Sequence, residues 1–136
     1  MLSELNDYLK SEMLDDYWYD SALLICEDII NEFTEDEWKE LLNIIPKEDI
    51  RWNIRLIECV SDINNQHSIE CIFKLLSIED DEIFIACVDA LRDKDLSLIP
   101  RYILNEILNK SKILGEKATL PVKKVLQKFI EKFGDS

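Results

Sequence analysis

Apolar residues recur at spacings of three and four along almost the whole chain, and strictly alternating stretches are nearly absent. That pattern predicts helices near 2–14, 16–33, 35–45, 48–62, 67–77, 81–93, 97–111 and 118–133. Local chemistry supplies the boundaries. Thr34 precedes Glu37 by three residues, the spacing of a capping box, so the third helix opens there. Pro46 closes it, because a residue before proline is pushed out of the helical region. Asn64 and Asn65 break the chain between the fourth and fifth helices, Asp80 is placed to cap the sixth, and Gly134 to end the eighth. The expected fold class is all-α, with about eight helices in one domain over 1–136.

The faces of these helices differ in kind. In 118–133, Val122, Val125, Leu126, Phe129 and Phe133 make an inward stripe, and Lys124, Lys128 and Lys132 repeat on the solvent side. In 16–33, Trp18, Ala22, Ile25, Cys26, Ile29 and Phe33 form the expected core stripe, widened by Tyr19, Leu23 and Ile30. Its opposite stripe holds Tyr17, Asp20, Ser21, Leu24, Glu27, Asp28 and Asn31. Tyr17 and Leu24 among carboxylates read in two ways. They are a patch for a basic, partly apolar partner, or the first helix covers Leu24 and Tyr17 is merely amphipathic. On the fourth helix, Arg51, Arg55, Glu58 and Asp62 lie on one stripe, expected as an exposed salt-bridge ladder.

Charge sharpens this picture. Residues 1–40 hold thirteen Asp and Glu against two Lys, whereas 96–136 hold four acids against eight bases. The formal charge of the chain is −13. Such a field attracts basic partners and disfavours direct binding of nucleic acid by the acidic half, since phosphates need Lys and Arg. No apolar run approaches the roughly 20 residues of a membrane span. The start has no basic segment followed by an apolar one, so a cytoplasmic protein is expected.

Candidate chemistry is sparse. Cys26, Cys59, Cys71 and Cys87 each sit in an apolar helical pattern and read as small buried hydrophobes, with neither metal nor disulfide expected. The single histidine, His67, falls in the polar stretch NNQHS and reads as a solvated loop residue. No Gly-rich phosphate loop, HExxH or GxSxG motif occurs, so no catalytic residue, cofactor or small-molecule substrate is expected.

A weak internal repeat adds organisation. At an offset of 31 residues, Ile54 falls on Ile85, Ile57 on Val88, Glu58 on Asp89, Cys59 on Ala90 and Asp62 on Asp93. The segment LLSIEDDEIFIACVDAL resembles a HEAT repeat, with paired leucines, an acidic turn and small residues at Ala86 and Ala90. The resemblance covers 66–93 well and 34–62 loosely, takes in 97–133 only as a helical pair, and leaves out 1–33. It implies an α-solenoid of stacked helical hairpins, with 34–133 forming about three pairs behind acidic N-terminal helices; a plain helical bundle is the alternative. With DDYWYDSAL (15–23), the chain is similar to the helical-repeat immunity proteins of bacterial contact-dependent inhibition and polymorphic toxin systems. That similarity implies a stoichiometric antidote to a cognate toxin domain, frequently a basic nuclease. It would assign Asp16, Asp20, Glu27, Asp28, Glu35 and Asp36 to pairing with toxin Lys and Arg, and Tyr17, Leu24 and Tyr8 to anchoring. The other reading is a scaffold or adaptor that binds along the second helices of each pair, around Arg51, Arg55, Asp89 and Arg92.

Overall fold

The computed structural model describes residues 1–134. All regular structure among them is helical: α1 (Leu2–Lys10), α2 (15–31), α3 (Glu35–Ile44), α4 (Ile50–Ser61), α5 (Gln66–Leu76), α6 (Asp81–Leu91), α7 (Arg101–Gly115) and α8 (Leu120–Phe133). Helix α2 is continuous but composite. It opens at Asp15–Tyr17, widens into a π turn at Trp18–Ala22 and resumes as Leu23–Asn31. A short 3₁₀ turn, Ile45–Lys47, follows α3.

The caps are built from side chains that the sequence places at the boundaries. Thr34 accepts from the Glu37 N–H while the Glu37 carboxylate accepts from the Thr34 N–H. Asp49, Asn65 and Asp80 accept from the N–H groups of Trp52, Ser68 and Ile83 at 2.8–2.9 Å. Each such cap stabilises its helix by about 1 kcal/mol.

Three boundaries depart from the periodicity. Helix α1 ends at Lys10, because Ser11 turns extended and the buried guanidinium of Arg55 collects the carbonyls of Leu9 and Ser11 at 3.2 and 2.8 Å. Helix α7 begins at Arg101 instead of near 97. Pro100 is extended at its N-cap, and the Ser97 N–H is held by the Asp95 carboxylate at 3.0 Å. At the other end α7 runs on to Gly115, and Gly134 follows α8 as its C-cap.

Packing sets four of the helices in one row. Helices α2, α4, α6 and α8 lie side by side in chain order, each against the next; α1 packs on α2 and α4, α5 on α4 and α6, and α3 on α1 and α5. Helix α7 pairs with α8. One continuous apolar core joins the helices, from Leu5 and Leu9 through Trp18, Trp52, Leu56 and Leu75 to Leu126 and Phe129. Fully burying a side chain of this size contributes about 1.5–3 kcal/mol. The four cysteines lie inside this core as free thiols, as small hydrophobes would. Burial alone pushes the Cys71 thiol up to about 12.

Two cations are buried with it. Arg55 lies over the Trp18 ring at 5.1 Å and is only 5% exposed, so it is no rung of an exposed ladder. Lys94 donates to the carbonyls of Val60 and Ile63 and to Ser68 Oγ, tying the α6–α7 connection to the C-terminal end of α4. Both cations satisfy carbonyls that a helix end leaves free.

Candidate acidic binding surface

The π turn decides what α2 shows to solvent. Trp18, Ala22, Cys26 and Ile30 are all buried at spacings of four. A regular helix turns every 3.6 residues and drifts off such a stripe, and the wider turn absorbs the drift. In consequence Ile25, expected inside, is 36% exposed, and Phe33 is half-buried against Trp38 at 5.6 Å between rings. Helix α1 does not cover the far side. Tyr17 is 50% and Leu24 61% exposed, with Asp16, Asp20 and Asp28 exposed around them. Tyr8 instead packs half-buried on the core.

Glu27 belongs to a different surface. It sits at the α4 side of α2 beside Asp62, to which its carboxyl donates a hydrogen bond when protonated. Partial burial, then the charge of Asp62 and that hydrogen bond, then Asp28, hold its carboxyl above the usual range. Beyond Asp62 a groove of about 390 Å³ opens between α4 and α6. It exists because Ala86 and Ala90 are short, so α6 leaves space opposite Ile54, Ile57 and Glu58. Glu58, Asp62, Asp89 and Asp93 line it, and Arg92 is its only lining cation among the described residues. The Arg92 guanidinium lies 3.2 Å from Asp89 and 3.8 Å from Asp93.

Glu58 is held in place from α2. Its carboxylate accepts from Trp18 Nε1 at 3.2 Å and pairs with the Tyr19 hydroxyl. That bond, followed by burial, pushes the Tyr19 phenol up to about 12. The π turn thereby fixes one acid of the groove through two neighbouring side chains.

The eight residues singled out from the sequence therefore fall in three places. Asp16, Tyr17, Asp20, Leu24 and Asp28 make an exposed ridge on α2. Glu27 lies off the ridge, beside Asp62 at the edge of the groove. Glu35 and Asp36 lie at the start of α3, apart from the ridge, and Glu35 bonds His67 at 3.1 Å; His67 is no solvated loop residue but sits in the first turn of α5, stacked on Trp38 at 5.3 Å. Of the residues assigned to the second helices, Asp89 and Arg92 line the groove, whereas Arg55 is spent on the core.

The signal that would have found the groove was present at the 31-residue offset. Carried one step towards the N-terminus, it places Glu27 in register with Glu58 and Asp89, on three helices that pack in succession. The π turn and the tether from Trp18 to Glu58 leave no comparable pattern, since both depend on packing between distant residues.

Among the described residues no group of His, Cys, Asp and Glu is arranged to hold a metal ion, and no helix is long and apolar enough to cross a membrane. No protein-family model, curated protein or solved structure matches the chain.

Proposed function

We propose that this chain is a HEAT-like stack of helical hairpins that binds a basic protein through its acidic N-terminal half, and that it acts as the immunity protein of a toxin domain, a basic nuclease. The observation that carries the reading is the ridge of α2. Tyr17 and Leu24 stand exposed among Asp16, Asp20 and Asp28, an apolar anchor inside a carboxylate rim. A nuclease has to present positive charge to nucleic acid, so such a surface competes for it and speeds encounter. The row α2, α4, α6, α8 and the 31-residue offset support the stacked-hairpin part.

Affinity capture from the native cell, eluted with a salt gradient, tests this reading. The expected result is one basic polypeptide released at high ionic strength, whose nucleic-acid cleavage stops when one equivalent of this chain is added. A captured partner without such activity, or binding indifferent to salt, would overturn it. The groove between α4 and α6 favours a second reading, a scaffold that takes a protein segment along its second helices. That reading predicts several captured partners.

A further inference from the structure

Helices α1, α3 and α5 pack in succession, but α7 takes its packing from α8. Where α5 and α6 face α7, a slot of about 290 Å³ stays open. Phe84 and Ile107 are buried at its base, and Phe73, Leu76 and Ile103 are half-buried around them. Over Phe84 sits the Lys110 ammonium, 4.6 Å from the ring centre. Lys110 also borders an adjoining hollow whose other lining residues are Glu79, Asp80, Asp81 and Glu82. Asp80 caps α6, whereas Glu79, Asp81 and Glu82 are exposed, as is Glu106 at the edge of the slot. Among the described residues none of these four exposed acids pairs with a cation, and Lys110 rests on the ring instead of on a carboxylate.

The two adjoining hollows select one kind of occupant. Small-molecule sites run from about 300 to 1,000 Å³, and this slot falls just short of that range, a size for side-chain anchors. The acids beside it repel phosphates, which excludes nucleic acid. Carboxylates without a cation attract Lys and Arg, and an apolar anchor inside a charged rim is how binding hot spots are built. We infer that the slot docks a short segment of another protein, in which an apolar anchor of leucine or phenylalanine is flanked by Lys or Arg. The anchor displaces the Lys110 ammonium from Phe84, and the flanking cations pair with Glu79, Asp81 and Glu82. The slot shares no residue with the ridge of α2, and the inference stands or falls without the toxin reading.

Fluorescence anisotropy with three labelled peptides tests it. The first has a core of leucine and phenylalanine with arginines on both sides. The second replaces the core by serines, and the third replaces the arginines by glutamates. The first is expected to bind at least about tenfold tighter than either of the others at physiological salt. Glu79→Gln with Glu82→Gln should weaken it about tenfold while the chain stays folded by circular dichroism, since both side chains are exposed. Lys110→Ala should tighten it severalfold by removing a competing cation from ring and rim, a change that lost folding cannot produce. If the serine peptide binds as well as the first, the slot is not the anchor site. If the glutamate peptide does, the rim plays no part. Either result, no binding at all, or indifference to both variants would overturn the inference. Sedimentation of the wild-type chain separates the remaining occupant, a second copy, because Leu120 is exposed between Lys117 and Lys123. A monomer is expected; a dimer dispersed by Leu120→Ser would overturn the foreign segment in favour of that copy.

Discussion

Helices α2 and α8 close the two ends of one row, and they solve the same problem differently. In α8, past the exposed Leu120 of its first turn, the apolar residues face inward, with Leu126 and Phe129 buried and Val122 and Ile130 half-buried, and lysines stand outside. Beyond that first turn its amphipathicity is accounted for by the core. In α2 a π turn buries Trp18, Ala22, Cys26 and Ile30, yet Tyr17 and Leu24 remain exposed among acids. Lysines on the outside of α8 need only solvent. Apolar side chains on the outside of α2 have no explanation in the fold of this chain, and that excess is what points to a partner.

The sharpest way to break the contrast is to cut both helices at matched depths. Trp18→Ala and Phe129→Ala should each destabilise by about 3–5 kcal/mol in urea unfolding, because both rings are buried. Trp18→Ala should also free Glu58, whereas Phe129→Ala leaves the groove unchanged. A loss below ~1 kcal/mol at Trp18 would mean that the π turn is not held by its indole.

Arg55→Met comes next. It keeps much of the apolar stem over Trp18 but leaves the carbonyls of Leu9 and Ser11 without their donor. The expected cost is about 2–3 kcal/mol, with the α1–α2 connection the first to exchange amide hydrogens. An exposed-ladder residue would cost about 0.5 kcal/mol or less.

The effect of pH isolates the acidic side. Glu27 has its carboxyl pKa raised in the folded state by burial and by Asp62, with Asp28 adding to it. The stability it contributes is complete below the unfolded carboxylate value and is lost as pH rises through the folded one. Glu27→Gln should therefore raise the melting temperature more at pH 7 than at pH 4. The opposite order would show that Glu27 is held by a cation instead of facing an acid.

The smallest stability effects belong to the two outer faces. Leu24→Ala and Lys128→Ala should each leave stability within about 0.5 kcal/mol by thermal melting, since neither side chain is buried. They should part in partner binding, where only Leu24→Ala weakens it.

Much of this fold was legible in the pattern of apolar positions. The eight helices, the Thr34–Glu37 capping box, the Asp80 cap and the buried cysteines all depend on residues close in sequence or on hydropathy alone. What escaped depends on distant pairs. Arg55 looked like a surface cation because its partners, Leu9 and Ser11, are backbone carbonyls over forty residues away. His67 looked like a loop residue because Trp38 and Glu35 reach it from another helix. The ridge residues Tyr17 and Leu24 were visible as an anomaly of one helix face. The groove was half visible: Glu58, Asp62, Asp89 and Asp93 fell into register at the offset, but the cleft itself follows from Ala86 and Ala90 meeting α4.

The most direct measurement of the central claim is the affinity and association rate of the captured partner with two variants of this chain. One is Tyr17→Ala with Leu24→Ala on α2, and the other Lys124→Ala with Lys128→Ala on α8. The acidic-ridge account predicts that the α2 variant binds at least about tenfold more weakly with an unchanged melting temperature, while the α8 variant binds like wild type. Equal binding by both variants, or loss confined to the α8 variant, would contradict it.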